Sequence, residues 1–436
     1  MNAPNTFRPG AAWTIVVLLQ LYMLVNFLDK IALSMTAVPV MAELHMSAAE
    51  FGAASASFYW LFSLSGIIGG FLCRYIPTRW LLLGMGILWA ILQIPLVFAT
   101  DARHLLWCRM LLGAAEGPAY PIAMVALFEW FPNDKRSLPV SVVSTGATAG
   151  LVLAGLGIPL ITAAWGWRVN FAILAVAGAI WCAIWVALGC TRRLREPGQA
   201  ASATAPIAAV PVGGSTALPY RILLTDRSVI AVLVAGIGGY AVLGTTMTWL
   251  PLYLERGLGF SATAAGRWFT VSVLLMAAVG ILLGGVSQRL MRRGLPTRIA
   301  RARLVALCFV TGAVMMVALW WLPVAPASRV LLLAIAISLP VTGTTFGPIL
   351  LAEVIPPRQQ AIFIALLTAL GNVAAALGAL MIGRLVQALG TTNARGYELG
   401  YVGVSMLLFI AALACLRWLD TEESRKKLRA EGAVPA

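Results

Sequence analysis

Charge is scarce in this chain. Only 11% of its 436 residues are Asp, Glu, Lys or Arg, against roughly 25% in soluble domains. With 61% hydrophobic residues and so few charges, a polar surface cannot be built, so an ordinary soluble domain is excluded. The six cysteines stand singly in or at the ends of apolar segments. No paired spacing points to a disulfide framework or a zinc site, and they read as small buried core residues. There are two histidines, His45 and His104, both expected in outer loops and without metal-ligand spacing. No phosphate loop ending in GK[ST] occurs and no ATP-binding domain is legible. No catalytic set emerges. The chain reads as a non-enzyme without cofactor or metal, drawing any energy it uses from an ion gradient.

Apolar segments are what the chain has instead. Windows of about 20 apolar residues recur along nearly its whole length, the mark of an all-α integral membrane protein. Twelve spans are expected, near 13–38, 50–73, 79–100, 103–128, 138–163 and 168–190, then 228–254, 264–288, 299–322, 328–353, 359–388 and 397–419. The first is too long for a signal peptide and has no small-residue cleavage site, so it is expected to stay.

The net charge of +15 follows the membrane rather than a nucleic acid. Arg74, Arg79, Lys135, Arg136, Arg192, Arg193, Arg195, Arg289, Arg292, Arg293, Arg298, Arg301, Arg303, Arg358 and the tail "SRKKLR" fall in alternate loops. The opposite loops carry isolated basics such as Arg103, Arg168, Arg256, Arg329 and Arg395. That asymmetry puts both termini in the cytoplasm.

The segment "REPGQAASATAPIAAVPVGGSTALP" is rich in Ala, Pro, Gly and Ser and reads as a flexible linker. It divides the chain into a bundle at 1–190, a cytoplasmic linker at 191–227, a second bundle at 228–419 and a tail at 420–436. "YRILLTDR" suits a short helix at the membrane surface. Duplication is visible: "GGFLCR" (69–74) ends the second span and "GGVSQR" (284–289) the eighth. "EWFPNDKR" (129–136) ends the fourth and "EVIPPRQQ" (353–360) the tenth, at a similar offset. Two pseudo-symmetric six-helix halves are the expected architecture.

Few ionisable residues fall well inside the spans: Asp29 and Lys30 in the first, Arg109 and Glu116 in the fourth, Arg384 in the eleventh. A charge at the bilayer centre costs at least about 2.5–3.5 kcal/mol on insertion scales, so such residues face the interior or a wet cavity. Arg109 and Glu116 are two helical turns apart, on one face but about 10 Å distant along the axis. Each needs another partner, and Asp29 and Lys30 are candidates. The four are either a fixed ion-pair cluster or a transport site, and the poor stability return of buried ion pairs favours the second. A carboxylate in a poorly solvated place takes up a proton near neutral pH, which makes Asp29 and Glu116 proton carriers. Arg109 is fit to grip a carboxylate through two bonds, with Lys30 as a second cation.

Around Glu116 the chain reads "GAAEGPAYP". Gly113 and Gly117 form a small-xxx-small packing face, and Pro118 and Pro121 kink the helix. Asn372 in the eleventh span either bonds a neighbouring helix or touches substrate. Thr148, with Ser144 and Thr145, and Thr342, Thr344 and Thr345 either line a cavity or bond their own backbone. Tyr59, Trp60 and Tyr240 are candidates for a cavity wall or for anchors at the membrane interface.

These residues resemble the major facilitator superfamily, and within it the anion:cation symporters that include sugar-acid and aromatic-acid transporters. The resemblance covers nearly the whole chain. It is carried by "NFLDK" (26–30), "RMLLGAAEGPAYP" (109–121) with "EWFPNDKR", "WLPLYL" (249–254) and "GNVAAALG" (371–378). The resemblance implies two bundles around a central cavity working by alternating access. It implies that Asp29 and Glu116 carry protons, that Arg109 handles the anion and that Asn372 contacts substrate. Three departures stand out. Lys30 replaces an arginine. Phe62 stands where a substrate-facing tyrosine is usual, which hints at a less hydroxylated acid, aromatic or short aliphatic. Arg74 and Gln288 alter the usual charge pattern of the loops after the second and eighth spans.

The expected function is proton-coupled import of a small organic carboxylate. The partners are that anion, protons and the lipid bilayer, with no nucleic acid. The chain is expected to act as a monomer in a bacterial cytoplasmic (inner) membrane. An exporter of cationic or amphipathic compounds is the alternative, although Arg109 and Lys30 would repel cationic cargo. A membrane sensor would need a signalling domain that is not visible.

Overall fold

The computed structural model describes residues 9–73, 75–131, 135–189, 218–356 and 359–432. Among them there is no strand, and twelve helical segments are long and apolar enough to cross a membrane. They are Gly10–Met35, Ala48–Gly69, Thr78–Val97, Ala102–Trp130, Leu138–Trp165 and Trp167–Leu188, then Arg227–Gly257, Ala262–Arg292, Arg298–Trp321, Pro326–Val354, Gln360–Leu389 and Ala394–Trp418. The shortest, with 20 residues, spans about 30 Å at 1.5 Å per residue, which matches a hydrocarbon core. Backbone polar groups are paired within each helix, as a medium without water demands. His104 is not in a loop: it lies in the first turn of the fourth span, capped by Asp101, whose Oδ1 accepts its N–H at 2.8 Å.

Small residues set the packing inside the first half. Gly146 and Gly150 of the fifth span lie on the first span, where an added methyl would overlap the carbonyls of Gln20 and Leu24. Gly113 and Gly117 of the fourth span meet the second in the same way, against the carbonyls of Phe58 and Phe62. Close backbone approach substitutes for the hydrophobic drive that lipid cannot supply.

The repeat is carried by breaks as well as by sequence. The fourth span is two helices, Ala102–Glu116 and Ala119–Trp130, broken at Gly117–Pro118. The tenth is Pro326–Ser338 and Val341–Val354, broken at Leu339–Pro340. A proline has no N–H for the carbonyl four residues back, so both helices part at the same depth. Beyond the breaks, Glu129 accepts from Thr78 at the head of the third span, at 3.0 and 3.1 Å. Glu353 pairs with Arg301 at the head of the ninth.

The expected flexible linker falls largely on residues outside those described, as do Arg74, Arg192, Arg193, Arg195 and Arg358. Its end is clasped: the Gln359 side chain donates to Leu218 O at 2.7 Å and accepts from Leu218 N–H at 3.0 Å. Tyr220–Thr225 is a short helix, as expected for that segment. The tail folds back as the helix Thr421–Gly432, where Ser424 donates to Asp226 at 3.0 Å and Thr421 to Glu353 at 2.9 Å.

The halves meet toward the end of the molecule opposite the termini. Gly52 of the second span rests on Ala379 and Gly383 of the eleventh, and Gly155 of the fifth on Gly266 of the eighth. Ala49 N–H donates to Gln387 across the same seam at 3.2 Å. Trp249, fully buried, donates to Ala379 O at 3.0 Å and meets Phe51 edge-on. At the termini end the eighth span stands apart. From Leu274 to Val286 no residue is buried, and Gly280, Gly284 and Gly285 face open space. Its residues there are half-buried or exposed, so the eighth span is only partly covered at this end. The molecule is closed opposite the termini and open toward them.

Candidate functional site

Glu116 is the last residue before the break in the fourth span, and it is fully buried. Its Oε2 accepts from Asn26 Nδ2 at 2.8 Å and lies 4.0 Å from Lys30 Nζ. The Asp29 carboxyl is close enough to act on it electrostatically. The first span presents Asn26, Asp29 and Lys30 together because spacings of three and four return to one helix face. The fourth span comes this close because Gly113 and Gly117 carry no side chain toward the second span. Both readings of "GAAEGPAYP" therefore hold: the glycines pack, and the proline breaks the helix beside the carboxylate. Pro121 falls in the first turn of the next helix, where its missing N–H is unneeded.

Arg109 is buried two turns away, its guanidinium 4.6 Å from the Phe58 ring centroid. Its Nε and Nη1 have no acceptor. Nor do Asp29 Oδ1 and Glu116 Oε1 receive a donor. A fixed ion-pair cluster would satisfy these atoms, since leaving buried polar groups unpaired is costly. Among the described residues only Lys30 and Glu116 come within ion-pair distance in this cluster. Lys30 is itself held between rings, 4.5 Å from the Phe27 centroid and 4.6 Å from that of Phe62.

Most of the other expected residues converge on this place. Tyr59 lies beside Thr248 of the seventh span, packs against the cluster of Ala56, Ala376 and Ala379, and is within electrostatic reach of Arg109. Asn372, one turn before Ala376, is buried with Nδ2 unpartnered. It makes no helix-bridging donor bond, which leaves its amide to the interior. Tyr240 packs closely on Gly371 beside it and lies near Thr368. Thr148 is half-buried, two turns before Gly155 and so on the face that meets the eighth span.

Trp60 is not brought to the site. It is 42% exposed on a stripe with Leu64 and Ile67, turned away from both neighbouring helices. Ser144, Thr145, Thr342 and Thr344 donate to carbonyls of their own helices, the local bonding that competes with a cavity role.

Several contributors went unnoticed in the sequence. Asn26 holds Glu116, and its spacing from Asp29 and Lys30 was the available signal. Phe27 and Phe58 join Phe62 in cradling the cations, but a phenylalanine in an apolar span gives no signal by itself. Tyr120, exposed one turn beyond Glu116, is close enough to Tyr240 to act on it electrostatically across the two halves. Tyr22, buried between Trp89 and Trp181, lies within electrostatic reach of Glu116 and its hydroxyl has no partner.

Comparison with known proteins agrees with this geometry. Residues 19–349 match the sequence profile of the Major Facilitator Superfamily. The hexuronate transporter of Bacillus subtilis (strain 168) is 24% identical over 413 residues, covering 93% of this chain and 94% of that one. The D-galactonate transporter of Escherichia coli O6:H1 is 27% identical over 319 residues, covering 69% and 73%. The chloroplastic ascorbate transporter of Arabidopsis thaliana is 26% identical over 292 residues, and this chain spans about half of its length (53%). Among solved structures, a bacterial homologue of the human lysosomal transporter Spinster, inward-facing and unoccupied, aligns with TM-score 0.75 at 16% identity, covering 98% and 99%. At that identity the likeness is one of fold.

Proposed function

Since the chain belongs to the major facilitator superfamily of transporters, and is no enzyme, we propose that it is a proton-coupled symporter importing a small organic carboxylate. The observation that carries this reading is the buried cluster at mid-span. Glu116 and Asp29 lie within electrostatic reach of each other, each with an oxygen that receives no donor, and Arg109 holds two unpartnered N–H groups two turns away. Two neighbouring carboxyls repel each other when both are ionised, so the pair is suited to hold one proton. Arg109 is the anion grip, with Lys30 beside it. Tyr59 and Thr148 line the same half, and Tyr240 and Asn372 form the facing wall.

The coupling follows from Lys30. When Glu116 is ionised it competes with the substrate anion for that ammonium. When Glu116 is protonated, Lys30 is released to the substrate. Proton and anion therefore bind together, and the neutralised site moves more readily between faces. With both termini in the cytoplasm of a bacterium, the closed end faces outward and this state is inward-facing. The linker at 191–227 joins the halves as they rock, and one chain contains all the parts named.

The test is uptake into proteoliposomes under an outside-acid gradient, with radiolabelled organic acids including glucuronate and benzoate. The expected result is gradient-driven accumulation above protein-free vesicles, lost in Glu116→Gln, while that variant still exchanges substrate across the membrane. Normal accumulation by Glu116→Gln would remove the proton role.

A further inference from the structure

The closed end of the molecule is braced from within the second half, far from the central cluster. The seventh span finishes there in a π-helical turn, Tyr253–Gly257, an irregularity of the kind that recurs at functional places. Tyr253 is fully buried, and its hydroxyl donates to Glu398 Oε1 of the twelfth span at 3.1 Å. Arg329, near the start of the tenth span, pairs with the same oxygen at 2.5 Å, and its Nε donates to Val324 O at 3.2 Å. One carboxylate thus ties together the ends of three spans.

From there the brace runs to the seam through rings. Tyr253 and Tyr397 lie 5.5 Å apart, and Tyr397 lies 6.1 Å from Trp249. Gly257 lets the two tyrosines close on bare backbone, since an added methyl would come within 2.9 Å of Tyr253 and 3.2 Å of Tyr397. Tyr397 is pinned in turn, its hydroxyl donating to Thr391 O at 2.9 Å. Trp249 is the member that reaches the first half, with its ring 5.5 Å from that of Phe51. A methyl on Gly52 of the first half would meet the Trp249 ring at 3.2 Å and Ala379 O at 2.9 Å. A buried ion pair returns little stability against apolar side chains of the same volume. What the carboxylate adds over them is direction, because it fixes the Tyr253 hydroxyl and with it the ring path to Trp249.

We infer that Glu398 and Tyr253 are positioning residues for the closed end: they hold Trp249 in the seam and so set how often the halves part there. Their role lies in the gate rather than the cargo, and it rests on the reading of alternating access alone.

The experiment places a reporter in the seam. Ala48, 2% exposed, starts the second span with its carbonyl against Gly383, so Ala48→Cys buries a thiol that parting halves would uncover. The purified full-length protein is treated with a maleimide, and labelling at position 48 is followed by peptide mass spectrometry, with the thermal midpoint measured alongside. Gly52→Ala wedges the seam directly and should label fastest. Tyr253→Phe removes one hydroxyl and keeps every ring, so it should raise the labelling rate about threefold or more at a midpoint near that of the parent. Glu398→Gln should raise it as well. Glu43→Gln, whose partners Trp167 and Arg168 both belong to the first half, should leave the rate unchanged. A parental rate in Tyr253→Phe, with Gly52→Ala raised, overturns the inference and leaves alternating access standing. An equal rise in Glu43→Gln also overturns it, because any change at that end would then act alike. No rise in any variant, Gly52→Ala included, overturns the parting of the halves and the inference with it. Should Tyr253→Phe fail to fold, Glu398→Gln decides by the same comparison.

Discussion

The fourth and tenth spans share a skeleton and differ in what they carry on it. Both break at a proline, Pro118 in one and Pro340 in the other. Aligned on those prolines, Glu116 falls opposite Ser338 and Arg109 opposite Leu331. Ser338 is buried and donates to Ala334 O at 2.6 Å, closing its polarity within its own helix. Leu331 is 44% exposed on the outside of the molecule. The duplicated frame therefore fixes where a helix can part, and the residues placed there decide whether the break becomes a charged site. The first half holds the charges of the central cluster, and the second contributes the amide of Asn372, hydroxyls and aromatic wall.

Both halves also carry an Arg–Glu pair near the end opposite the termini. In the second half Glu398 is fully buried, 2.5 Å from Arg329 and accepting from Tyr253 at 3.1 Å. In the first half Glu43 is 51% exposed and pairs with Arg168, with Trp167 Nε1 donating at 2.6 Å. The same partners at unequal burial should have unequal worth.

The contrast between halves is sharpest at Glu398. Replacing it with Ala leaves Arg329, 17% exposed, without its carboxylate and the buried Tyr253 hydroxyl without its acceptor, a loss of about 3–5 kcal/mol. The thermal midpoint of the purified protein should fall accordingly, and a midpoint within a degree of wild type would show that burial does not separate the two pairs.

Next in size is Arg109→Lys. It keeps the charge and loses the planar fork, so uptake should fall by about a hundredfold, or about 2.7 kcal/mol. Thermal stability should move little. A large loss of stability with normal uptake would make the first half's charges structural, like those at Glu398.

Gly117→Ala should destabilise by about 1–3 kcal/mol, because the methyl meets the Phe62 carbonyl and the Ser65 hydroxyl. Gly84→Ala, in open space, should stay within about 0.5 kcal/mol. Equal thermal shifts for the two would break the argument that close approach builds the site.

The smallest effect is expected at Glu43. The Trp167 N–H, and then Arg168, hold its carboxyl below the usual carboxylate range. A lowered folded-state pKa adds stability above the unfolded value near 4.5, and that stability fades as pH falls through the folded value. Solvent screens the exposed pair, so Glu43→Gln should remove less than about 1 kcal/mol at neutral pH. A neutral-pH loss matching that of Glu398→Ala would contradict the ranking.

Asp29, Lys30, Arg109 and Glu116 were legible because a charge in an apolar span is expensive and therefore conspicuous. Tyr59 and Trp60 were not separable, though adjacent in the chain. Tyr59 turns inward to Thr248 while Trp60 turns out beside Leu64. In a soluble helix the polar face marks the outside. In a membrane helix lipid is as apolar as the core, so the pattern is silent about which face is which.

Composition and spacing by themselves determined the membrane class, the twelve spans, the duplicated halves and the four ionisable residues at their centre, since each rests on the cost of polarity in hydrocarbon. Only the tertiary structure decided that Asn26 and Lys30 meet Glu116, that rings enclose the cations and that the halves close opposite the termini. Those contacts join residues as much as 90 positions apart in one half, and as much as 338 apart across the two. They exist because glycines let particular helices approach, and no local pattern records which helix will arrive.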